Sequence, residues 1–322
     1  MRHETYRPGD GRGWSVTAAS AVGASHRARD VAAQDAVAVL PATGGGRVTG
    51  PLVAAVADGH GHWKHFRSQR GAQFAVAVAC TAALEVASDL AACSDSEEAI
   101  SLTASVLAPQ VVTAWRRAVT ADVEAAPVRP EERPNGDETT AITDPFLAYG
   151  TTLLLCAIAG RWIVLAQIGD GDVVLVTGDG NVLTPVPIDP CLDGHVTTSL
   201  CESTALSAFR FAAIDQESTP VSLAMLATDG FGNSQVADPW QPAVGEDLYD
   251  LVAERGWEWV RENLPTWVGR CASHQGSRDD TTVVLALGPT SPRRRETRPA
   301  RTTVADPASD ETIPMTRPTG QS

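Results

Sequence analysis

Five aspartates are the residues of this chain whose type and position could do chemistry. Each stands at the end of an apolar run or beside a glycine, and the five are Asp35, Asp58, Asp229, Asp279 and Asp280. A carboxylate at the end of a buried strand is unfavourable unless a cation meets it, because an ionised group that leaves water loses several kcal/mol of solvation. If these strand ends meet in one fold, their oxygens form a site for a hard cation.

Two of these aspartates precede a glycine, and Asp-Gly is also a favoured turn dipeptide. A lone pair of this kind is more often a turn, which is how we interpret Asp179-Gly180. Asp58-Gly59 and Asp229-Gly230 differ, because each ends a run too apolar for a two-faced surface hairpin. We therefore expect both pairs to open loops that line a cleft.

The composition is that of a globular protein and excludes several classes. Of 322 residues, 43% are apolar, and the net charge of −14 argues against a nucleic-acid surface, because phosphate backbones favour clustered Lys and Arg. The six cysteines lack C-x-x-C spacing, which disfavours a zinc finger. There is no apolar stretch of roughly 20 residues for a membrane span and no signal-peptide pattern. We expect a cytoplasmic location, with no membrane or nucleic-acid partner.

The pattern along the chain predicts strands, two helices, strands again, two more helices and a last strand. The strands are expected at 14–18, 36–40, 52–57, 151–159, 162–168, 173–176, 182–183, 209–213, 221–227 and 282–287, and the helices at 65–90, 96–119, 245–263 and 265–273. Ser96 is the expected N-cap of the second helix. Glycine turns join two pairs of strands as antiparallel hairpins. We predict an α+β sandwich.

One folded domain is expected over residues 14–288, between a flexible N-terminus of residues 1–13 and a disordered tail of residues 289–322. The tail is rich in Pro, Thr, Ser and Arg and has too few large apolar residues to fold alone. Residues from about 120 to 145 contain four prolines and many charges, which is typical of a surface loop insertion.

Six short motifs follow one another along the chain. They are Gln34-Asp35, Asp58-Gly59-His60-Gly61, Gly150-Thr151-Thr152, Ile168-Gly169-Asp170, Ala227-Thr228-Asp229-Gly230 and Asp279-Asp280-Thr281-Thr282. The set resembles the metal-dependent Ser/Thr protein phosphatases, protein phosphatase type 2C, in that family's order over about residues 14–288. Gly23-Ala24-Ser25-His26 with Gln34-Asp35 looks most similar to its bacterial branches.

The resemblance implies a four-layer α-β-β-α sandwich, with two central antiparallel sheets flanked by helices. It also implies two Mn²⁺ or Mg²⁺ ions: Asp58 would bridge both, the carbonyl of Gly59 would hold the first, and Asp229 and Asp279 would hold the second. Asp35 would act mainly through metal-bound water. Carboxylate and carbonyl ligands suit these metals rather than zinc, which favours His and Cys. Two such ions activate a shared water for in-line attack, so hydrolysis needs no covalent phosphoenzyme.

His60 occupies the position of the family's general acid, which gives a proton to the departing serine or threonine oxygen. A metal ligand or an ordinary loop histidine is the alternative interpretation. His62 and His65 are expected to face solvent, where a His-x-His pair could bind a stray transition metal.

Departures from the family's pattern concern the phosphate and the metal. Most members place a phosphate-gripping arginine a few residues before Glu-Asp, at a spacing where this chain has Asp30. Arg27, Arg29 or His26 could take that role, since a guanidinium forks onto phosphate oxygens, and surface charge is the alternative for the arginines. Gln34 in place of glutamate removes a negative charge, which could weaken metal affinity.

A third metal site, common in bacterial members, uses an aspartate shortly before the Gly-Thr-Thr motif. Asp144 and Asp137 are the candidates, and the sequence leaves this site open. Asp170 is expected to stabilise a turn rather than to bind metal. Asp280 is expected to bind through water or to play a supporting role.

The predicted function is hydrolysis of phosphoserine and phosphothreonine in proteins by a monomeric enzyme that opposes a Ser/Thr kinase. An alternative is a pseudophosphatase or regulatory binding module of the same fold, for which Gln34 and the missing arginine are the signs. Retention of Asp58, Asp229 and Asp279 weighs against it, because an inactive site has no reason to keep costly carboxylates together. A two-metal phosphodiesterase or nuclease suits the ions but not the acidic surface.

Overall fold

The computed structural model describes residues 13–42, 46–129, 132, 144–192, 197–290 and 292. In these ranges the strands are β1 Ser15–Ala21, β2 Ala36–Leu40, β3 Leu52–Ala57, β4 Leu153–Ala159, β5 Trp162–Ile168, β6 Asp172–Thr177, β7 Val182–Leu183, β8 Arg210–Asp215, β9 Val221–Ala227 and β10 Thr281–Leu287. The α-helices are α1 Ala24–Ala28, α2 Ser68–Glu85, α3 Ala87–Ala92, α4 Ser96–Leu102, α5 Ala108–Ala125, α6 Ala205–Ala208, α7 Asp229–Gly232, α8 Gln241–Arg255 and α9 Trp257–Cys271. A π-helical turn, Thr103–Leu107, joins α4 to α5, and 3₁₀ turns cover Trp63–His65 and Pro145–Tyr149.

The strands of the described ranges form two antiparallel sheets of five strands each. One has the order β1-β10-β9-β6-β7 and the other the order β2-β3-β4-β5-β8. Both predicted hairpins are present, since β4 pairs with β5 and β6 pairs with β7. The first and last strands also pair, with Ser15 opposite Leu287.

Strand β3 shows why these strands are apolar at every position. Val53 and Ala55 pack toward the layer of helices α2 to α5, whereas Leu52 and Ala54 pack between the two sheets. The outer face of the other sheet is covered by α8 and α9. Because successive side chains of a strand point to opposite faces, a sheet that is covered on both sides buries all of them. The predicted four-layer α-β-β-α sandwich is confirmed.

The first helical layer breaks at points that the apolar pattern does not show. The helix predicted over 65–90 begins at Ser68 and divides into α2 and α3. The helix predicted over 96–119 contains the π-helical turn and continues to Ala125, where Val123 still packs on the core. The first residues of the predicted insertion are therefore helical.

The N-cap of α4 is Asp95 rather than Ser96. Asp95 has extended backbone, with φ −148°, and its Oδ1 accepts from the backbone amide of Glu98 at 2.8 Å. Ser96 already lies within the helix, so it cannot take the capping position.

The sequence predicted that the two tryptophan-rich helices separate beside Pro265, and this is wrong. They separate at Gly256. Gly256 has φ +86°, a left-handed conformation that glycine adopts at little cost and that ends α8. Pro265 lies inside α9 on its exposed side, where water can meet the carbonyl that loses its donor.

Some sequence predictions fall on other parts of the chain. The predicted flexible N-terminus and disordered tail lie almost entirely outside the described residues, as do residues 133–143 of the predicted insertion. Those predictions stay predictions. Among the helices of the described ranges, none has the length and apolarity needed to cross a membrane.

Candidate active site

Three carboxylates converge at one edge of the sandwich, where strands of both sheets end. Asp35 precedes β2, Asp58 follows β3, and Asp229 begins α7 after β9. Ala36 lies opposite Ala57 across the β2-β3 pair, which puts Asp35 and Asp58 at the same edge. The charge of Asp229 helps to raise the pKa of Asp58, so these two carboxyl groups lie close together. The fold thus brings together residues that are far apart in the sequence.

Burial and the charges of nearby carboxylates raise the pKa of all three carboxyl groups. Burial is the largest cause for Asp35 and raises its pKa from 3.8 to about 8, although the nearby hydroxyl groups of Thr282 and Thr228 act in the opposite direction. Burial also raises the pKa of Asp229 to about 6. Burial, followed by the charges of Asp35 and Asp229, holds the pKa of Asp58 well above its ordinary value. A cation at this edge would relieve that repulsion.

Two buried oxygens of the cluster, Asp35 Oδ1 and Asp229 Oδ1, have no hydrogen-bond donor among the described residues. Their companion oxygens are engaged: Asp35 Oδ2 accepts from Thr228 Oγ1 at 2.8 Å, and Asp229 Oδ2 accepts from Asn233 Nδ2 at 3.0 Å. Buried polar atoms without a partner are rare in folded proteins. Carboxylate oxygens that receive no hydrogen bond can serve as ligands for a hard divalent cation such as Mg²⁺ or Mn²⁺.

Asp279, another predicted ligand, lies at the exposed rim of the cluster. Its Oδ1 accepts from the backbone amide of Asp280 at 2.8 Å, and its charge contributes to the raised pKa of Asp58 and Asp229. In the part of the chain that the structure describes, no group of three or more His, Cys, Asp or Glu side chains is arranged to hold a metal ion by itself. The predicted set of Asp58, Asp229 and Asp279 is therefore not a closed ligand shell here.

The Gly-Thr-Thr motif fixes the backbone of Asp58 and Gly59. The carbonyl of Asp58 accepts from the amide of Thr152 at 2.9 Å and from Thr151 Oγ1 at 2.8 Å, and the amide of Asp58 donates to Thr152 Oγ1 at 3.0 Å. Gly59 forms a β-bridge with Thr151, and a Cβ on it would lie 2.7 Å from the carbonyl oxygen of Gln34. Only glycine fits in so narrow a space.

Asp280 holds segments together and is not open to a ligand. It is 2% exposed, and its two oxygens accept from the backbone amides of Gly23 and Gln34, each at 2.6 Å. His26 Nδ1 lies 2.9 Å from the same carboxylate. Asp280 thus connects the start of β10 to α1 and to the segment that carries Asp35, which agrees with a supporting role. The contact buries His26, which argues against His26 as a phosphate ligand.

The two candidate arginines are exposed and lie against their own segment. Arg27 donates to the carbonyl of Val22, and Arg29 Nε donates to the carbonyl of Ser25 at 3.1 Å. Their phosphate-gripping role stays a prediction. Gln34 has a buried Oε1 with no donor among the described residues, so the neutral side chain still offers an oxygen near the cluster.

His60 is held by its backbone and has a neutral ring. Its amide donates to the carbonyl of Gly150 at 3.0 Å. Burial, followed by the charges of His65 and Lys64, lowers the pKa of His60 to about 3. Near pH 7 the imidazole therefore carries no charge in the protein without substrate, and a general acid needs a further influence that favours its protonated form.

The neighbouring histidines differ from each other. His62 is exposed, as predicted. The prediction for His65 is wrong: it is buried, and its Nδ1 lies 2.5 Å from the carbonyl oxygen of Leu147. The physical reason is that the turn Pro145–Tyr149, distant in sequence, folds over it.

Two further aspartates lie in turns near the site. Asp144, the candidate for a third metal site, caps the turn Pro145–Tyr149, and its Oδ1 accepts from the amide of Phe146 at 2.9 Å. Asp137 lies outside the described residues. Asp170 follows Gly169, which has φ +98°, in the turn between β5 and β6. Burial raises the pKa of Asp170, and its charge helps to raise the pKa of Asp229, so it lies near the carboxylate cluster. Its turn-stabilising role stays a prediction.

Sequence reasoning missed Asp172 and Arg67. Burial raises the pKa of Asp172 to about 6, and its Oδ1 accepts from Gln241 Nε2 at 2.9 Å. The available signal was an aspartate that opens an apolar run. Arg67 is 5% exposed and donates to Tyr149 Oη and to both carboxylate oxygens of Glu132. No local pattern marks Arg67, because its partners come from distant segments.

Comparisons with known proteins identify the family and the fold. A family model described as protein phosphatase 2C matches residues 22–269, and a search of curated proteins gives no match. A bacterial serine phosphatase structure matches with TM-score 0.53 and 11% identity, over 88% of this chain and 99% of that one. A C. elegans sex determining protein matches with TM-score 0.51 and 17% identity, over 86% and 66%. At such identities these structures show a shared fold.

Proposed function

The chain belongs to the protein phosphatase 2C family, and on that premise we propose that it hydrolyses phosphoserine and phosphothreonine in proteins with Mn²⁺ or Mg²⁺. One observation supports this most: Asp35, Asp58 and Asp229 meet at one edge, and two of them have a buried oxygen without a donor among the described residues. Buried carboxylates with raised pKa values are costly, and they cluster at functional sites.

In this proposal Asp58 and Asp229 would hold two ions together with the carbonyl of Gly59, and Asp35 would act through water. Asp279 would complete the set. Because Asp279 is exposed, its side chain can rotate toward an ion without unpacking the core. When bound, a pair of such ions supplies an activated water and neutralises phosphoryl oxygens.

The proposed role of His60 is to give a proton to the serine or threonine oxygen as its bond to phosphorus breaks. The ring is neutral without substrate. A phosphate dianion bound beside it raises its pKa, because an opposite charge favours the protonated imidazole. Arg27 or Arg29 would hold the phosphate oxygens with a forked guanidinium.

The test is release of inorganic phosphate from a phosphothreonine peptide and from p-nitrophenyl phosphate. We expect turnover with Mn²⁺, its loss in EDTA, and its return when Mn²⁺ is added in excess. Full activity in EDTA would contradict the metal-dependent mechanism.

A second candidate is a catalytically weakened binding module of the same fold. Two observations favour it: Asp279 lies outside a closed shell, and Gln34 replaces an acidic residue. Calorimetry separates the two candidates, because this one binds Mn²⁺ and a phosphopeptide without releasing phosphate.

The proposed partners are phosphoprotein substrates and a counteracting Ser/Thr kinase. A monomeric state and a cytoplasmic location stay predictions from the sequence. Sedimentation would measure the first, and fractionation of cells the second.

A further inference from the structure

The segment of residues 60–67 is held against the segment of residues 147–150 by four hydrogen bonds, one to each residue of the second segment. The contacts are His65 Nδ1 with Leu147 O at 2.5 Å, Arg67 N with Ala148 O at 2.8 Å, Arg67 Nη1 with Tyr149 Oη at 2.8 Å, and His60 N with Gly150 O at 3.0 Å. Residues 60–67 and 147–150 therefore form one rigid unit around the histidines.

Within this unit the ring of His65 packs against the ring of His60. Its ring centroid lies 4.9 Å from that of His60, with an angle of 63° between the planes. Since a carbonyl oxygen can only accept, the Nδ1 of His65 carries the hydrogen that Leu147 receives, which fixes the ring. A Cβ on Gly150 would lie 2.7 Å from His65 Cε1 and 2.8 Å from His60 Cδ2, so both rings pack closely on this glycine.

We propose that His65 is a positioning residue: its buried ring, held by Leu147, fixes the imidazole of His60 for proton transfer to the leaving group. This inference rests on the proposed function. In that reaction a water oxygen bonds to phosphorus and the bond from phosphorus to the serine oxygen breaks. The serine oxygen takes the proton of His60, and His60 recovers a proton from solvent, which has received the one lost by the attacking water.

The identity of the leaving group separates positioning from general structural damage. A serine alkoxide is a poor leaving group and needs a proton, whereas p-nitrophenolate is a stable anion and leaves without one. Misplacing the general acid should therefore slow hydrolysis of the phosphoserine peptide and leave the rate of hydrolysis of p-nitrophenyl phosphate nearly unchanged. Loss of folding or of metal binding would slow hydrolysis of both substrates to a similar extent.

The experiment compares the full chain with its His65→Ala and His65→Asn variants, and with His62→Gln as the exposed matched control. For His65→Ala we expect kcat on the phosphoserine peptide to fall about 10- to 100-fold, and kcat on p-nitrophenyl phosphate to fall less than about threefold. His65→Asn keeps a donor for Leu147 and should recover part of the loss, and it replaces the alanine variant if that one fails to fold. Equal losses on both substrates, or no loss on the peptide, would overturn the proposal.

A second readout does not depend on activity. The ring carbon-proton signals of the seven histidines can be followed by NMR, with His60 assigned by substitution. We expect one sharp ring signal for His60 in the wild type and a shifted or broadened one in His65→Ala. If the wild type shows no Mn²⁺-dependent turnover but this change appears, the proposed function fails while the positioning stands. An unchanged His60 signal would overturn the positioning itself.

Discussion

Thr228 donates its hydroxyl hydrogen to Asp35 Oδ2 at 2.8 Å, across 193 positions of sequence. The same hydroxyl oxygen accepts from the backbone amide of Thr282 at 2.9 Å. One side chain thus joins β9 and β10 of one sheet to a carboxylate that precedes a strand of the other. The contact keeps one oxygen of Asp35 engaged and leaves the other for a ligand.

Thr228→Val removes this donor and keeps the shape of the side chain. Without the donor, the buried carboxyl group of Asp35 holds its proton more tightly, and metal binding must displace that proton. We expect Mn²⁺ affinity, measured by isothermal calorimetry, to fall about tenfold. Thr228→Ser retains the hydroxyl and should bind like the wild type. A valine variant with unchanged affinity would show that Asp35 takes no part in metal binding.

Asp58→Asn should stabilise the metal-free protein while removing its response to metal. The substitution relieves repulsion with Asp35 and Asp229, which contributes to the raised pKa of Asp58. We expect the melting temperature in EDTA to rise by a few degrees, and the increase that Mn²⁺ gives to the wild type to disappear. Scanning calorimetry with and without Mn²⁺ measures both. If Asp58→Asn melts at a lower temperature than the wild type in EDTA, repulsion between these carboxyl groups does not destabilise the metal-free protein.

Asp35 should make the metal-free protein less stable as pH rises. Its pKa is about 8 when folded and near 3.8 when unfolded, so between those values the folded state binds the extra proton and rising pH favours unfolding. The lowered pKa of His60 makes the folded protein more stable as pH rises, but only up to about the ordinary imidazole pKa of 6.5. Between pH 6.5 and 8 we therefore expect the free energy of unfolding to fall, with Asp35 contributing up to about 1.4 kcal/mol per pH unit. The raised pKa of Asp58 acts in the same direction.

Urea denaturation in EDTA measures this pH dependence. Asp35→Asn has no titrating group at the position, so its slope should be smaller than that of the wild type. Asp58, whose pKa is also raised, still contributes to the slope that remains. If the wild type and Asp35→Asn keep the same slope in this window, the carboxyl group of Asp35 does not titrate there in the folded protein.

Arg67→Lys should destabilise the protein although it keeps the charge. A lysine cannot bond Tyr149 Oη, the carbonyl of Ala126 and both oxygens of Glu132 at once, as the guanidinium does. We expect a loss of about 2 kcal/mol or more in urea denaturation. The matched control is Arg70→Lys, since Arg70 is 43% exposed and pairs with one carboxylate; it should lose less than about 1 kcal/mol. Equal losses would mean that the network around Arg67 adds nothing.

Cluster residues could be predicted from the sequence where an apolar run shows where a strand ends. Leu52 to Ala57 is apolar at every position because both faces of its sheet are covered, and the run stops where Asp58 begins. The same reasoning locates Asp229 after Val221–Ala227. Antiparallel pairing, inferred from short glycine turns, then brings such ends to one edge.

What the sequence does not reveal depends on distant partners. Asp279 and Asp280 are adjacent, yet Asp280 is buried by amides 257 and 246 positions away while Asp279 stays at the rim. The burial of His65 depends on a turn that begins 80 residues later. A local pattern contains no signal for contacts of this kind, so neither role could be predicted.

Phosphate release from a phosphothreonine peptide by the wild type and two matched variants tests whether this edge of the sandwich is catalytic. Asp58→Asn changes an Asp-Gly pair in the cluster, and Asp179→Asn makes the same change in the turn between β6 and β7. With saturating Mn²⁺ we expect Asp58→Asn to lose about two orders of magnitude of activity or more, and Asp179→Asn to remain as active as the wild type. Activity of Asp58→Asn close to that of the wild type would show that this edge of the sandwich is not the catalytic site.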